Sequence, residues 1–287
     1  MKSYLSLIKF SHTIFALPFA LVGFFLGSLE KNHSLSPLTF LLVVLCMVFA
    51  RSAAMAFNRY LDREIDRKNP RTATREIPAG IISPRQALAF VIVNCALFMA
   101  ATWWINPLCF YLSPVALTVV LGYSYTKRFT ALCHFVLGLG LALAPIGAYL
   151  ATGGGFDLIP ILYSFVVLLW VSGFDIIYAL QDEEFDRSQQ LHSIPAVLGK
   201  KNALRLSTAL HIVSALLVLT AAWNLDLKYP AFLWLHWLGA AAFVGLLFYQ
   251  HTLVKPNDLS RVNLAFFTTN GIASLIFGAL VITDIFL

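Results

Sequence analysis

The sequence predicts an all-α polytopic membrane protein, and three observations lead to that class. Of the 287 residues, 59% are hydrophobic and only 12% are charged, whereas a soluble domain carries about 25% charged residues. The mean hydropathy is +0.79. The apolar residues form runs of about 20, the length that a helix needs to cross the roughly 30 Å hydrocarbon layer.

Nine apolar runs are separated by polar breaks, and each is predicted to be a transmembrane helix. The runs cover residues 10–29, 36–57, 87–105, 107–125, 131–151, 157–180, 203–223, 230–250 and 264–285. Two longer segments, 58–86 and 181–202, are charged and rich in helix formers. We therefore expect these two segments to lie outside the hydrocarbon layer.

The basic residues predict the orientation of the chain in the membrane. Of the 20 Lys and Arg residues, only Lys31 and Lys228 fall in the loops after the first and seventh runs. The positive-inside rule then places the N-terminus and both charged segments in the cytoplasm, at a bacterial-type inner membrane. The excess of basic residues fits this topology, and the sequence has no nucleic-acid-binding motif and implies no obligate protein partner.

The whole chain, 1–287, is predicted to form a single domain with an internal repeat. The second and sixth runs, 36–57 and 157–180, cross the membrane in the same direction and each ends in a charged segment. They are four runs apart, as a tandem repeat of four-helix units requires.

Two stripes of oxygen-bearing side chains lie where these two runs end. The first comprises Asn58, Asp62 and Asp66, and the second comprises Asp175, Tyr178, Asp182 and Asp186. Spacings of three and four residues place each stripe on one helix face. Oxygen ligands without Cys or His suit Mg²⁺. At 1.5 Å per residue the first stripe is roughly 12 Å long, so two opposed stripes are expected to hold two or more ions with a diphosphate between them.

Two ionisable residues are predicted to lie deeper in the membrane. Asp175 is roughly 10 Å from Asp182 along the helix axis, and an ionisable residue at that depth marks a functional site. We assign Asp175 to an acceptor substrate. Arg51 lies two turns before Asn58, and its partner is either a buried acid such as Asp175 or the carboxylate of an aromatic substrate; the sequence leaves both open.

Basic residues near the stripes are candidates for binding the phosphates. A diphosphate leaving group needs Arg forks or Lys point charges, and Arg71, Arg75 and Lys127 lie on the predicted cytoplasmic side. The positive-inside rule alone also accounts for each of them.

These motifs, in this order, resemble those of the UbiA superfamily of intramembrane aromatic prenyltransferases over essentially the whole chain. Asn58, Asp62 and Asp66 match an NxxxDxxxD pattern, and Tyr123 and Lys127 match a YxxxK pattern. Asp175, Tyr178, Asp182 and Asp186 match the second acidic pattern. The resemblance implies nine helices around a central cavity, with a cytoplasmic cap of helices formed by the charged segments. One departure is Arg59, which stands where many members have a second Asp.

The resemblance also implies the chemistry. Mg²⁺ would bridge a polyprenyl diphosphate to the acids, with metal ligands Asn58, Asp62, Asp66, Asp182 and Asp186. The diphosphate would be bound by Arg71, Arg75, Lys127, Tyr123 and Tyr178, and the acceptor by Asp175, Arg128 and Arg51. Catalysis would depend most on Asp175, Asp62 and Asp182.

The implied reaction transfers the polyprenyl group to a small aromatic acid in ubiquinone or menaquinone biosynthesis. The loop from Arg71 to Gly80 and the run from Tyr178 to Asp182 look most like 4-hydroxybenzoate polyprenyltransferases. The segment from Ile8 to His12 fits dihydroxynaphthoate prenyltransferases as well. The sequence does not choose between these acceptors or set the chain length of the donor.

Two other classes of membrane protein use intramembrane acids. A transporter predicts charges at the midplane on symmetrically broken helices, whereas the acids here concentrate at one end of the predicted spans. A CDP-alcohol phosphatidyltransferase predicts an Asp-Gly-x-x-Ala-Arg opening, which the sequence lacks.

Overall fold

The computed structural model of the protein describes residues 2–7, 15–30 and 35–287, and it is built from helices. In chain order these are α1 Lys2–Leu7, α2 Leu17–Leu29, α3 Pro37–Leu61, α4 Arg63–Lys68, α5 Pro84–Ile105, α6 Pro107–Thr126, α7 Cys133–Ala151, α8 Leu158–Ala179, α9 Glu183–Ser188, α10 Ile194–Lys228, α11 Leu235–Leu253 and α12 Asn270–Phe286. A 3₁₀ turn, Leu180–Asp182, precedes α9, and a π-helical turn, Leu264–Thr269, precedes α12.

Each of the nine predicted runs coincides with a helix, which confirms the all-α membrane class. Within the described residues, seven helical stretches are long and apolar enough to cross a membrane: Pro37–Leu61, Pro84–Ile105, Pro107–Thr126, Cys133–Ala151, Leu158–Ser188, Ile194–Lys228 and Leu264–Phe286. That α2 and α11 also cross the membrane stays a prediction. The α2 helix has 13 residues, and α11 carries the polar residues His236, Gln250 and His251. The tandem repeat also stays a prediction. Some residues used in the sequence analysis lie outside the described residues. They are residues 10–14 of the first run, the segment from Ile8 to His12, and Lys31.

Polar caps determine where the long helices begin. The N-cap side chains accept hydrogen bonds from backbone N–H groups of the first turn; they are Ser36, Ser83, Asn106, Asp157 and Ser193. Such caps satisfy donors that the helix leaves free. The predicted run 203–223 is too short, because α10 continues on both sides and bends at Gly199, whose φ of +73° favours glycine.

Both acidic stripes bend, so the expectation of one regular helix for each is wrong. The α3 helix ends at Leu61, Asp62 takes non-helical angles (φ −85°, ψ 4°), and α4 resumes at Arg63. The hydrogen bond from the Asp66 N–H to the Asp62 carbonyl, 2.7 Å, keeps the segment compact. In the second stripe the 3₁₀ turn ends at Asp182, and its tighter winding rotates the following side chains relative to an α-helix.

The α2, α7, α8, α10, α11 and α12 helices form a packed core around Trp170, which is fully buried. Its ring contacts Phe19 and Phe243 at centroid distances of 5.5 and 5.3 Å. The indole N–H donates to Asn270 Oδ1 at 2.8 Å. The Asn270 amide in turn donates to the carbonyls of Ala265 and Phe266 in the π-helical turn, which stabilises that irregular backbone.

The two ends of the helical bundle differ in their chemistry. The end where α3 and α8 terminate carries both acidic stripes, and we call it the acidic face. At the opposite face, Lys228 Nζ lies 2.8 Å from Glu30 and 2.7 Å from Asp157, joining α10 to the ends of α2 and α8. Exposed tryptophans also lie toward this face: Trp103, Trp104, Trp223 and Trp234. Exposed Trp is typical of a membrane–water interface, so these residues indicate the depth of the protein in the bilayer.

Close contact between α2 and α7 depends on Gly23. A Cβ at this position would lie 2.1 Å from the carbonyl oxygen of Pro145, a backbone atom that cannot move aside cheaply. We expect Gly23→Ala to destabilise the protein by about 1–3 kcal/mol through overpacking and to lower the thermal midpoint measured in detergent. Gly245→Ala is the matched control, because a Cβ there meets nothing within 4 Å among the described atoms. Equal midpoints for Gly23→Ala and the wild type would contradict this packing.

Candidate active site

A cavity of about 360 Å³ lies between α3, α5, α6 and α7. Its walls are almost entirely apolar, with Met47, Phe98 and Leu141 among the lining side chains. The charged residue in the described lining is Arg51, which lies on α3, and Tyr123 lines the cavity from α6. The cavity therefore offers an apolar chamber with polar groups toward the acidic face.

Asp62 lies at the acidic end of α3 and is 2% exposed. Lys127 Nζ is 2.9 Å from Oδ2, and Arg128 Nη2 is 2.8 Å from Oδ1. The Asn58 amide also donates to Oδ2, at 3.1 Å. Lys127 and Arg128 come from the segment between α6 and α7, so this buried carboxylate joins that segment to α3. Four of the predicted site residues, Asn58, Asp62, Lys127 and Arg128, are thus brought together.

Arg128, which the resemblance assigns to the acceptor, is bound by groups of the protein itself. Besides Asp62, its guanidinium donates to the carbonyls of Leu61 and Ser124 at 3.0 and 2.8 Å. Helix C-termini leave carbonyls without intrahelical partners and favour cations. Arg128 therefore caps α3 and α6, and its role toward the acceptor stays a prediction.

The second acid of the first stripe, Asp66, pairs with Arg75. Arg75 Nη1 lies 2.7 Å from Asp66 Oδ1. The other oxygen, Oδ2, is buried and accepts no hydrogen bond from any described residue. A buried carboxylate oxygen without a donor is costly, so this atom is available to a ligand that supplies positive charge.

Arg71 connects the two stripes. It lies in the segment after α4 and forms a bidentate ion pair with Asp182, with Nε 2.9 Å from Oδ1 and Nη2 2.5 Å from Oδ2. Its Nη1 donates to the Tyr178 hydroxyl at 3.1 Å. The Asn69 amide also donates to Asp182, at 3.1 Å. Burial alone would lower the pKa of the Arg71 guanidinium, but the hydrogen bonds and charge of Asp182 outweigh it and raise that pKa. Arg71 therefore stays fully charged at the junction.

The remaining acid of the second stripe, Asp186, is 8% exposed and lies beside Ser193, the N-cap of α10. Lys127 and Asp182 are close enough to affect its charge. Tyr123 lies within electrostatic range of both Asp62 and Asp175. The predicted residues of both stripes thus face one region, although no three His, Cys, Asp or Glu side chains among the described residues form a ready-made metal cage.

Asp175 has a partner that sequence reasoning missed. His134, on α7, is 3% exposed, and its Nδ1 lies 2.7 Å from Asp175 Oδ2. The described residues include no ion pair between Arg51 and Asp175, and the partner of Arg51 stays a prediction. The sequence shows His134 only as a histidine within an apolar run. It lies 41 positions from Asp175, a separation that no helical periodicity relates to a contact.

Two arginines at this end of α3 each have a buried nitrogen that lacks an acceptor among the described residues. The Nε atoms of Arg51 and Arg59 are buried and donate to no acceptor in the described part of the chain. Tyr123 lies near both of them. Unpartnered buried cations are costly, so this region is suited to bind anions.

The donor set fits a divalent cation and a phosphate. The acids supply only oxygen ligands, as Mg²⁺ prefers, and Asp66 Oδ2 has no donor among the described groups. The unbonded Nε atoms of Arg51 and Arg59 are complementary to an anion. The side chains that offer such oxygen ligands at this face are Asn58, Asp62, Asp66, Asp182 and Asp186.

The contacts of Arg71 predict a measurable effect on the segment that follows α4. We expect Arg71→Lys to lose the fork that spans Asp182 and Tyr178 and to raise amide hydrogen exchange in residues 69–82, because local opening follows the loss of tethering contacts. Arg67→Lys is the matched control, since Arg67 is exposed and binds Glu64 on its own helix. Unchanged exchange in Arg71→Lys would show that other contacts hold this segment.

Residues 16–272 match the model of the UbiA prenyltransferase family. A 4-hydroxybenzoate octaprenyltransferase from Aliivibrio fischeri (strain MJ11) is 31% identical over 240 residues, which cover 83% of this chain and 80% of that protein. One from Aeromonas hydrophila is 30% identical over 244 residues, covering 85% and 83%.

Solved structures share the fold. The apo structure of a UbiA homologue from Aeropyrum pernix K1 has a TM-score of 0.82 and 34% identity, covering 95% of this chain and 98% of that one. A UbiA homologue from Archaeoglobus fulgidus, solved bound to GPP and Mg²⁺, has a TM-score of 0.78 at 22% identity, covering 99% and 100%. The chain belongs to the UbiA prenyltransferase family and is a multi-pass membrane prenyltransferase.

Proposed function

We propose that the enzyme transfers a polyprenyl group from a polyprenyl diphosphate to a hydroxylated aromatic acid of the 4-hydroxybenzoate type, as a step of quinone biosynthesis. The observation that carries this proposal is Arg51, whose Nε is buried and donates to no described acceptor, at the wall of an almost entirely apolar cavity. The names of the relatives at about 30% identity support the same acceptor.

The donor has two chemically different parts, and the site offers a region for each. The apolar cavity suits the isoprenoid tail, and excluding water protects the allylic carbon from hydrolysis once its bond to oxygen breaks. The diphosphate suits the acidic face, where Arg71, Arg75 and Lys127 supply cations, with Tyr123 and Tyr178 as hydroxyl donors. In the structure these cations are held by carboxylates, so a bound diphosphate would compete for them.

We propose that the acids at this face hold Mg²⁺, with Asn58, Asp62, Asp66, Asp182 and Asp186 as ligands. A divalent cation there would neutralise the leaving diphosphate as it takes the electron pair of the C–O bond. Support comes from the all-oxygen donor set, the free Asp66 oxygen, and the Archaeoglobus fulgidus homologue that was solved with GPP and Mg²⁺.

The acceptor is proposed to bind between Arg51 and Asp175. Arg51 would hold its carboxylate, and Asp175 would accept a hydrogen bond from its hydroxyl, which orients the ring and raises its electron density. A ring carbon of the acceptor then bonds to the allylic carbon. The ring carbon loses its proton, which passes to Asp175 or to water. Tyr123, which lies near both charged residues, would form one wall of this subsite.

The location follows from the same proposal. The basic residues cluster in the loops of the acidic face, and the tryptophans lie toward the other end. The positive-inside rule supports a cytoplasmic acidic face in a bacterial-type inner membrane. Both substrates would then reach the site from the cytoplasmic side.

An activity assay tests the function and its metal requirement. Purified enzyme, labelled prenyl diphosphates of several lengths and a panel of acceptors should give prenylated 4-hydroxybenzoate with Mg²⁺ and none after chelation. Asp62→Ala and Asp182→Ala should each lower turnover at least about 100-fold, the loss expected when a group that stabilises the transition state is removed. Glu64→Ala is the control, since Glu64 is an exposed acid two residues from Asp62 whose ion-pair partners among the described residues are Arg63 and Arg67.

Two outcomes would change the assignment. Product formed only with 1,4-dihydroxy-2-naphthoate would move the enzyme to the menaquinone alternative. Full activity of Asp62→Ala or Asp182→Ala would remove these residues from the metal site.

The Arg51 assignment is tested with two acceptors that differ only in charge. We expect Arg51→Ala to raise the KM for 4-hydroxybenzoate about 10- to 100-fold, the range for losing a hydrogen bond to a charged group. The KM for the prenyl diphosphate and the slow reaction of 4-hydroxybenzamide should change little. Arg67→Ala is the control. An equal loss for the acid and the amide would show that Arg51 does not bind the carboxylate.

A further inference from the structure

His134 is held on both sides of its ring. Its Nδ1 lies 2.7 Å from Asp175 Oδ2, and the backbone N–H of Ile194 points at its Nε2, at 3.2 Å. The Ser172 hydroxyl also donates to the carbonyl of His134, at 3.2 Å. The imidazole is therefore fixed in place between α7, α8 and the start of α10.

The hydrogen-bond partners select one tautomer of this ring. A backbone N–H can only donate, so Nε2 must present its lone pair to Ile194. The ring proton then lies on Nδ1 and is donated to Asp175. An imidazolium carries protons on both nitrogens, and its Nε2 proton would meet the N–H of Ile194. The geometry favours a neutral His134 that donates to an ionised Asp175.

A second His–Asp pair provides a comparison within the same molecule. At the opposite face, His236 Nδ1 lies 2.6 Å from Asp284 Oδ2, and both side chains are fully buried. Backbone N–H groups of Leu233 and His236 also donate to Asp284, so that carboxylate has donors on both oxygens. Asp175 differs: 22% of its side chain is exposed, and His134 is its one hydrogen-bond partner in the described structure. Its Oδ1 accepts no hydrogen bond from any described residue.

We propose that His134 is a positioning residue for the prenyl acceptor: it holds Asp175 as an anion in one orientation, with Oδ1 presented to the acceptor hydroxyl. This inference rests on the proposed role of Asp175 in acceptor binding. Without the Nδ1 donor, the carboxylate of Asp175 is free to rotate, and a charged group in a largely apolar region loses its stabilising hydrogen bond.

The same histidine joins the acceptor region to the diphosphate region. Ile194 is the first residue of α10, and the N-cap before it, Ser193, lies beside Asp186. The segment that carries Ser193 and Ile194 thus contacts both a proposed metal ligand and the ring that orients Asp175. The two subsites share this rigid connection.

Three substitutions separate positioning from packing. His134→Asn places an amide N–H where Nδ1 lies and keeps the donor to Asp175, although Ile194 loses its acceptor. His134→Gln reaches toward the Nε2 position and loses that donor, and His134→Leu loses both bonds. We expect kcat/KM for 4-hydroxybenzoate to fall about 10- to 100-fold in His134→Gln and His134→Leu and less than about threefold in His134→Asn. The KM for the prenyl diphosphate should stay unchanged in all three.

His236→Leu is the matched control for losing a buried His–Asp pair. It should lower the thermal midpoint in detergent and leave the KM values for both substrates unchanged. Binding of Mg²⁺ and prenyl diphosphate, measured on each purified variant, shows that the site is still folded. If His134→Asn is impaired as much as His134→Leu, or if both substrates are affected equally, His134 has a packing role and the proposal is overturned.

Asp175→Asn keeps this test distinct from that of the proposed function. If Asp175→Asn retains full activity, the role of Asp175 itself is wrong. If Asp175→Asn is impaired while His134→Leu is fully active, only the positioning role fails. We expect the losses in the double variant Asp175→Asn/His134→Gln to be clearly less than additive, because the two residues act through one hydrogen bond.

Discussion

The acidic face depends on pairing carboxylates that the fold has removed from water. Asp62 and Asp66 are almost fully buried, and a buried charge without a partner is strongly destabilising. Each receives a basic partner from another segment: Lys127 and Arg128 for Asp62, and Arg75 for Asp66. These ion pairs offset the free-energy cost of burying the carboxylates, and they also attach the connecting segments to the helix ends.

This arrangement makes the fold and the proposed site depend on the same groups. Arg71 links the segment after α4 to Asp182 and Tyr178 at the end of α8. Under the proposed function, a metal and a diphosphate would take over both halves of such pairs, the carboxylates going to the metal and the guanidinium groups to the phosphates. Charge balance is kept in either state, because each ligand replaces a partner of the same sign. Ligand binding can then rearrange side chains at this face without leaving a charge uncompensated.

Packing is distributed unevenly between the two halves of the molecule. Around Trp170 the helices are tightly packed, with backbone contacts as close as those at Gly23. The α3, α5 and α6 helices bury much less of their surface and enclose the cavity together with α7. The packed half fixes the end of α8, which carries the second stripe, while the open half leaves room for an apolar chain. A protein with a uniformly packed interior would have no such chamber.

The sequence predicts what depends on local pattern. Apolar runs of the required length identify the helices, and spacings of three and four residues identify Asp62, Asp66, Asp182 and Asp186 as two groups. Contacts between distant segments leave no periodic signal. His134 and Asp175 are 41 positions apart, and Arg128 and Asp62 are 66 apart. The bend at Asp62, where Arg128 binds the end of α3, likewise leaves no periodic signal in the sequence.

The charges of Arg51 and Asp175 illustrate how the fold separates groups that would otherwise neutralise each other. Both lie near Tyr123, yet Asp175 is bound by His134, and Arg51 has no counter-ion in the described part of the structure. A neutral His134 satisfies Asp175 without cancelling its charge, so both charges persist in an apolar region. Such a region favours a molecule that brings an anion for Arg51 and a hydroxyl donor for Asp175. A hydroxylated aromatic acid carries these two groups on a rigid ring, so its binding would give Arg51 a counter-ion, add a second hydrogen bond to Asp175, and orient the ring for attack.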